Sequence, residues 1–291
     1  MPDPGIEREW MMIDLQAPTL ELMSTDGARA VIQRYGAHVT SWIPAGGAEQ
    51  LFLSRLAKLD GSAPIRGGVP VIFPQFAGEG PLPKHGFARS QIWRAMDCYH
   101  TAHGVAQARL VLDDNAATRA LWPQAFSAEL VVSVGGDALK IELHVRNRDR
   151  SPIRFTAALH GYFAVDDIAD ARVHGTGGLE YRDSANGNAV GRQDDAALAI
   201  EGEVDRIYFD TPPAITLRAG QRRLESTASG FTDTVIWNPG AIKGAALADL
   251  EPDGYRRMLC IEPAVIGTPV TLNAGQHWIG MQTLHCRDAQ P

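Results

Sequence analysis

Apolar and polar positions alternate with a period of two along much of this chain. The clearest stretch is SAELVVSVGGDALKIELHVRNRD, residues 127–149. Ala128, Leu130, Val132 and Val134 share one face, Gly135-Gly136-Asp137 reverses the chain, and Leu139, Ile141, Leu143 and Val145 resume the alternation against Lys140, Glu142, His144 and Arg146. A period of two is the side-chain repeat of a strand with one buried face, so an amphipathic β-hairpin is predicted here. Shorter β-rich runs recur from end to end: TLEL, RAVIQRYGAHVTSWI, IYFD, AITLRAG, TVIWN, MLCIEP and HWIGMQTLH, each bounded by Gly, Pro, Asn or Asp. Helical signals are few. DDNAATRALWP offers Asp and Asn caps, an Ala-rich run and a terminating Pro, which suits about two turns. Many strands, little helix and no linker or compositional break predict an all-β chain. The expectation is one antiparallel sandwich domain over residues 1–291 with few short helices.

Composition narrows the function. With 291 residues, 45% of them hydrophobic and 21% charged, the chain can bury a substantial core. The formal charge of −7 repels phosphate at long range, so neither nucleic acid nor an anionic membrane surface is an expected partner. An anionic ligand must therefore be held by local charge. No apolar run reaches membrane-spanning length, and MPDPGIEREWMMIDLQAPTLEL has acids where a leader would be apolar, so neither secretion nor a span is expected. Cys98, Cys260 and Cys286 are odd in number and widely separated, which favours reduced thiols and a cytoplasmic location. No HExxH pair or paired-cysteine spacing occurs, and no metal is expected. The Gly-Lys-Ser/Thr phosphate loop, a dinucleotide fingerprint and a Gly-x-Ser-x-Gly elbow are also missing.

Four segments depart from plain strand-and-turn logic. In PIRGGVPVIFPQFAGEGPLPKHGFARSQIW, residues 64–93, prolines and glycines interrupt apolar and aromatic residues, which reads as a structured loop over a site. Its cations are Arg66, Lys84 and Arg89; each could serve a ligand or be a solvated loop charge. His160, in FTAALHGYFAV, is either a satisfied core histidine or a general acid/base facing a cleft. Glu262, in MLCIEPA, is either a solvent-facing strand residue or a desolvated carboxylate, hence a stronger base. Asp205, in EVDRIYFD, is most simply a surface partner of Arg206.

Taken in order, IRGGVPVIFPQF, KHGFARSQIW, ALHGYF, EVDRIY, VIWNPG and CIEPA closely resemble the hexose-6-phosphate mutarotases, or glucose-6-phosphate 1-epimerases, of the aldose 1-epimerase superfamily. Each motif alone is weak; six in one order are specific, and they span about residues 14–286. The resemblance implies a galactose-mutarotase-like antiparallel β-supersandwich, in agreement with the strand pattern. It implies His160 as general acid, Glu262 as general base, Arg66, Lys84 and Arg89 at substrate positions, and Asp205 on sugar hydroxyls, with His85 in the same pocket. It implies a cofactor-free, metal-free interconversion of the anomers of a hexose 6-phosphate; the chain is expected to be a monomer. Two departures concern sugar preference: Gly161 stands where a hydroxyl residue is often seen, and Gly240 where an aromatic is common. The alternatives are an aldose 1-epimerase of unphosphorylated galactose or glucose, which has no need of the basic trio, and a non-catalytic carbohydrate-binding or sensor protein, which needs no matched acid and base.

Overall fold

The computed structural model describes residues 8–288. Residues 1–7 and 289–291, which belong to the span read as one domain and, at the start, to the segment read for a leader, lie outside it. Among the described residues, antiparallel strands form sheets of ten, eight and three strands. None of their helices is long and apolar enough to cross a membrane.

The predicted hairpin is the centre of the ten-stranded sheet. Phe126–Gly135 pairs with Ala138–Asn147 in continuous register, and the sheet extends from it on both sides. The apolar positions of the alternation, Ala128 to Val134 and Leu139 to Val145, are buried at 1% exposure or less. RAVIQRYGAHVTSWI divides into two strands of the three-stranded sheet, Arg29–Gln33 and His38–Ile43. The predicted helix is Ala116–Leu121, started by Asn115, whose side chain accepts from Ala117 N and Thr118 N. Such a cap contributes about 1 kcal/mol. It also aims the following Trp122 at Phe73, whose ring lies 5.2–6.3 Å from those of Phe87, Trp122, Phe126 and Phe155. This aromatic knot ties the loop of residues 64–93 to the body of the protein.

The eight-stranded sheet carries the strands that matter for function: Val204–Tyr208, Asp233–Asn238, Met258–Leu272 and Ile153–Leu159, with Tyr162–Ala164 pairing on Met258–Leu272 beyond the end of Ile153–Leu159. The short helix Gly240–Ala245 follows the second of these and had no signal in the sequence. Gly240 has φ +61°, and a Cβ there would lie 2.7 Å from Glu203 N, so the tight entry to this helix leaves no room for a side chain at the position where the resemblance leads one to expect an aromatic. At Gly161 a Cβ would lie 3.0 Å from the Phe163 ring.

Candidate active site

Register places the candidate chemistry on one face. Ala158 pairs with Ala264, and the same register resumes with Tyr162 opposite Cys260. His160, between them, therefore stands across from Glu262. The next strands continue the row, with Val235 opposite Glu262, Trp237 opposite Cys260 and Asp205 opposite Trp237. Alternation then sends Asp205, Trp237, Glu262, His160 and Tyr162 to the same side of the sheet. At His160 the chain leaves the ladder: His160 N donates to Pro70 O and Tyr162 N to Gly68 O, which brings the loop of residues 64–93 against the row.

That face and that loop enclose a cavity of about 660 Å³. All seven residues singled out from the sequence, Arg66, Lys84, His85, Arg89, His160, Asp205 and Glu262, line it. His160 Nδ1 lies 3.4 Å from Glu262 Oε1, and the two residues are 8% and 1% exposed. His160 Nδ1 and Glu262 Oε2 have no hydrogen-bond partner among the described residues. His160 is thus not a satisfied core histidine, and Glu262 does not face solvent. Asp205 is not a surface partner of Arg206 either, because neighbours in a strand point to opposite faces. Arg206 lies over Tyr181, 4.2 Å from its ring centroid, and donates to Gln193 Oε1 at 3.0 Å.

The cations sit in a braced loop. Arg66 Nε reaches Asp249 Oδ1 at 3.1 Å, and its Nη1 donates to Tyr162 Oη at 2.9 Å. Arg89 Nη2 donates to the carbonyl of Lys84 at 2.9 Å, which holds the KHGFARS turn closed. Gly86 makes that turn possible: its φ is +68°, and a Cβ there would lie 2.2 Å from Phe73 O. His85 Nδ1 accepts from Ala77 N at 3.3 Å, so its neutral ring carries the proton on Nε2.

Electrostatics separates the groups. Burial, with Arg89, Lys84 and Arg66 nearby, lowers the His85 pKa to about 3, so this ring is a neutral donor. Burial pushes His160 well below its usual value, and His85, Arg89 and Arg66 push it the same way. Burial raises Glu262 well above the carboxylate range, with Asp205 adding and Arg89 and Lys84 opposing. Asp205 is raised as well, chiefly by burial. An imidazole and a carboxylate held 3.4 Å apart out of water are the groups a general acid/base device needs.

His160, Cys260 and Glu262 also bring one ligand atom each within 4.8 Å of one another. Burial raises the Cys260 thiol well above its ordinary value, and the field of Arg66, Arg89 and Lys84 opposes a dication, so this trio is a poor metal cage.

Among the residues that escaped the sequence reading are three that line the cavity, Tyr162, Trp237 and Lys243, and one that braces Arg66, Asp249. Tyr162 had a usable signal, since it lies two places from His160 in an extended run and shares its face; Trp237, in TVIWN, had no singled-out neighbour on its strand. Lys243 sits on the unforeseen helix, and Asp249 reaches Arg66 across 183 residues, so neither was visible.

An antiparallel β-supersandwich whose eight-stranded sheet carries a cavity lined by imidazole, carboxylate and cationic side chains is suited to acid/base chemistry on a polar ligand. The chain belongs to the aldose 1-epimerase family, whose model, described as Aldose 1-epimerase, matches residues 18–285. It is a mutarotase, an isomerase of carbohydrate metabolism. A protein of Cenchrus ciliaris provisionally named glucose-6-phosphate 1-epimerase is 35% identical over 274 residues, covering 90% of this chain and 83% of that one. One of Salmonella typhimurium with the same provisional name is 30% identical, covering 87% and 86%. A Salmonella typhimurium crystal structure provisionally described as a mutarotase superposes with a TM-score of 0.84 at 26% identity, covering 96% of this chain and 97% of the other.

Proposed function

We propose that this mutarotase interconverts the α and β anomers of an aldohexose 6-phosphate, glucose 6-phosphate foremost, by acid/base ring opening and reclosure. The observation that carries the reading is a buried imidazole and carboxylate 3.4 Å apart in a cavity also lined by Arg66, Lys84 and Arg89. A neutral sugar has no use for three such cations, whereas a phosphate monoester carries about −1.5 to −2 charges near neutral pH. The names of the relatives support the same substrate.

In this mechanism Glu262 takes the proton of the anomeric hydroxyl while His160 gives one to the ring oxygen. The bond from C1 to the ring oxygen breaks, leaving an aldehyde at C1 and a hydroxyl at C5. Rotation about C1–C2 offers the other carbonyl face. On closure His160 recovers its proton from that hydroxyl and Glu262 returns its own to the carbonyl oxygen, so the pair ends as it began. Burial chiefly depresses His160; a phosphate dianion among Arg66 and Arg89 offsets the smaller contribution of these cations and so favours its protonated form. Asp205 and the Nε2–H of His85 hold sugar hydroxyls.

The test is anomer equilibration of glucose 6-phosphate by the purified protein and by Glu262→Gln and His160→Ala. Each variant is expected to lose about 10²–10⁴-fold in kcat. Variants as fast as the wild type would refute the assigned roles.

A further inference from the structure

The imidazole of His160 must present one nitrogen to the sugar, yet Nδ1 has no hydrogen-bond partner among the described residues, and at 3.4 Å its approach to Glu262 Oε1 is an ion-pair contact rather than a hydrogen bond. Rings hold it instead. Tyr162 is stacked on it, centroids 4.9 Å apart and planes 9° from parallel, while His85 and Trp237 meet it edge-on at 5.7 and 5.9 Å. Of these contacts the stack is the one that lies flat along the imidazole, matching its plane to within 9°. Tyr162 is in turn fixed at its far end. It is 3% exposed, and its hydroxyl accepts from Arg66 Nη1 at 2.9 Å while Arg66 Nε is held by Asp249. One phenol thus joins a phosphate-facing cation to the acid.

Resting on the proposed function, we infer that Tyr162 is a positioning residue for the reaction: its ring sets the plane of the His160 imidazole, and its hydroxyl ties that plane to Arg66. The two ends of the side chain have separable consequences. The ring governs how well the acid is aimed at the ring oxygen, which is a transition-state property and appears in kcat. The hydroxyl governs how well Arg66 is preorganised for the phosphate, which appears in KM. The stack also keeps water from His160, so the low pKa that burial gives this group depends on it.

The experiment measures anomer exchange by the wild type, Tyr162→Phe and Tyr162→Leu with glucose 6-phosphate and with free glucose. Tyr162→Phe keeps the ring; it is expected to retain most of kcat while KM for glucose 6-phosphate rises about tenfold, the effect of one lost hydrogen bond to a charged group. Tyr162→Leu is expected to lose about 30-fold in kcat on both sugars, within the range for a small misplacement of a catalytic group. Its pH–rate profile should shift, with the His160 limb moving toward 6.5 as water reaches the ring. A purely structural role would lower kcat alike in both variants and leave KM and the profile in place, and that result overturns the proposal. So does a Tyr162→Leu enzyme with wild-type kcat. If Tyr162→Leu fails to fold, the Phe arm decides, and an unchanged KM refutes the link to Arg66. A wild type that exchanges glucose but not glucose 6-phosphate refutes the substrate reading alone, and the kcat comparison on glucose still tests the ring.

Discussion

His38 stands behind the site. It is 1% exposed, and its Nε2–H donates to the carbonyl of Gly67 at 2.7 Å, holding the residue next to Arg66 against the strand His38–Ile43. Burial lowers its pKa from 6.5 to about 4, with Arg89 adding to the effect. Because the folded pKa lies below the unfolded one, the unfolded chain binds the extra proton: stability is complete above pH 6.5 and is lost as pH falls toward 4. At pH 5 the unfolded histidine is almost fully protonated and the native one almost neutral. The loss is then about 1.5 pH units at about 1.4 kcal/mol each, roughly 2 kcal/mol. His38→Gln keeps an N–H for Gly67 and removes the titration. Urea unfolding at pH 7.5 and pH 5 measures the difference, and His85, depressed to about 3, contributes equally to both proteins and cancels. The wild type should lose about 2 kcal/mol more than His38→Gln over this interval. Equal losses would refute the claim that His38 is buried neutral.

Further outcomes follow from other contacts. Arg89→Met should raise KM for glucose 6-phosphate about 10–100-fold, the range for a charge-assisted hydrogen bond, and change values for free glucose far less; initial-rate kinetics on both sugars checks this. Gly240→Ala forces a Cβ to 2.7 Å from Glu203 N at φ +61° and should cost about 1–3 kcal/mol in urea unfolding. Asn115→Ala removes the cap of helix Ala116–Leu121 and should cost about 1 kcal/mol by the same measurement, without altering kcat.

The hairpin and its neighbours in the ten-stranded sheet were legible because their side chains bury largely on one face. Leu130, Val132, Leu139 and Ile141 show it by alternation alone. The helix at residues 116–121 was legible from its cap and stop. The helix Gly240–Ala245 was not: GAIKGA has two glycines and little intrinsic preference, and Pro239, the φ of Gly240 and the Asn238 side chain, which accepts from Gly240 N, start it instead. The loop of residues 64–93 announced itself by its prolines and glycines, but its bracing did not, because Asp249 and Tyr162 reach Arg66 from distant parts of the chain. For His160, Glu262 and Asp205, local sequence left each reading open, and motif order supplied the roles. What closed the gap between His160 and Glu262 is register, which no single stretch of sequence displays.

The proposed function has one buried acid/base pair serving a phosphorylated hexose. Magnetisation transfer between the α and β anomeric protons, at equal concentrations of glucose 6-phosphate and glucose, reads the exchange rate for each sugar in the presence of the protein. Exchange with glucose 6-phosphate is expected to exceed that with glucose by far and to disappear in Glu262→Gln. Equal acceleration of both sugars, or none with glucose 6-phosphate, would contradict the proposed function.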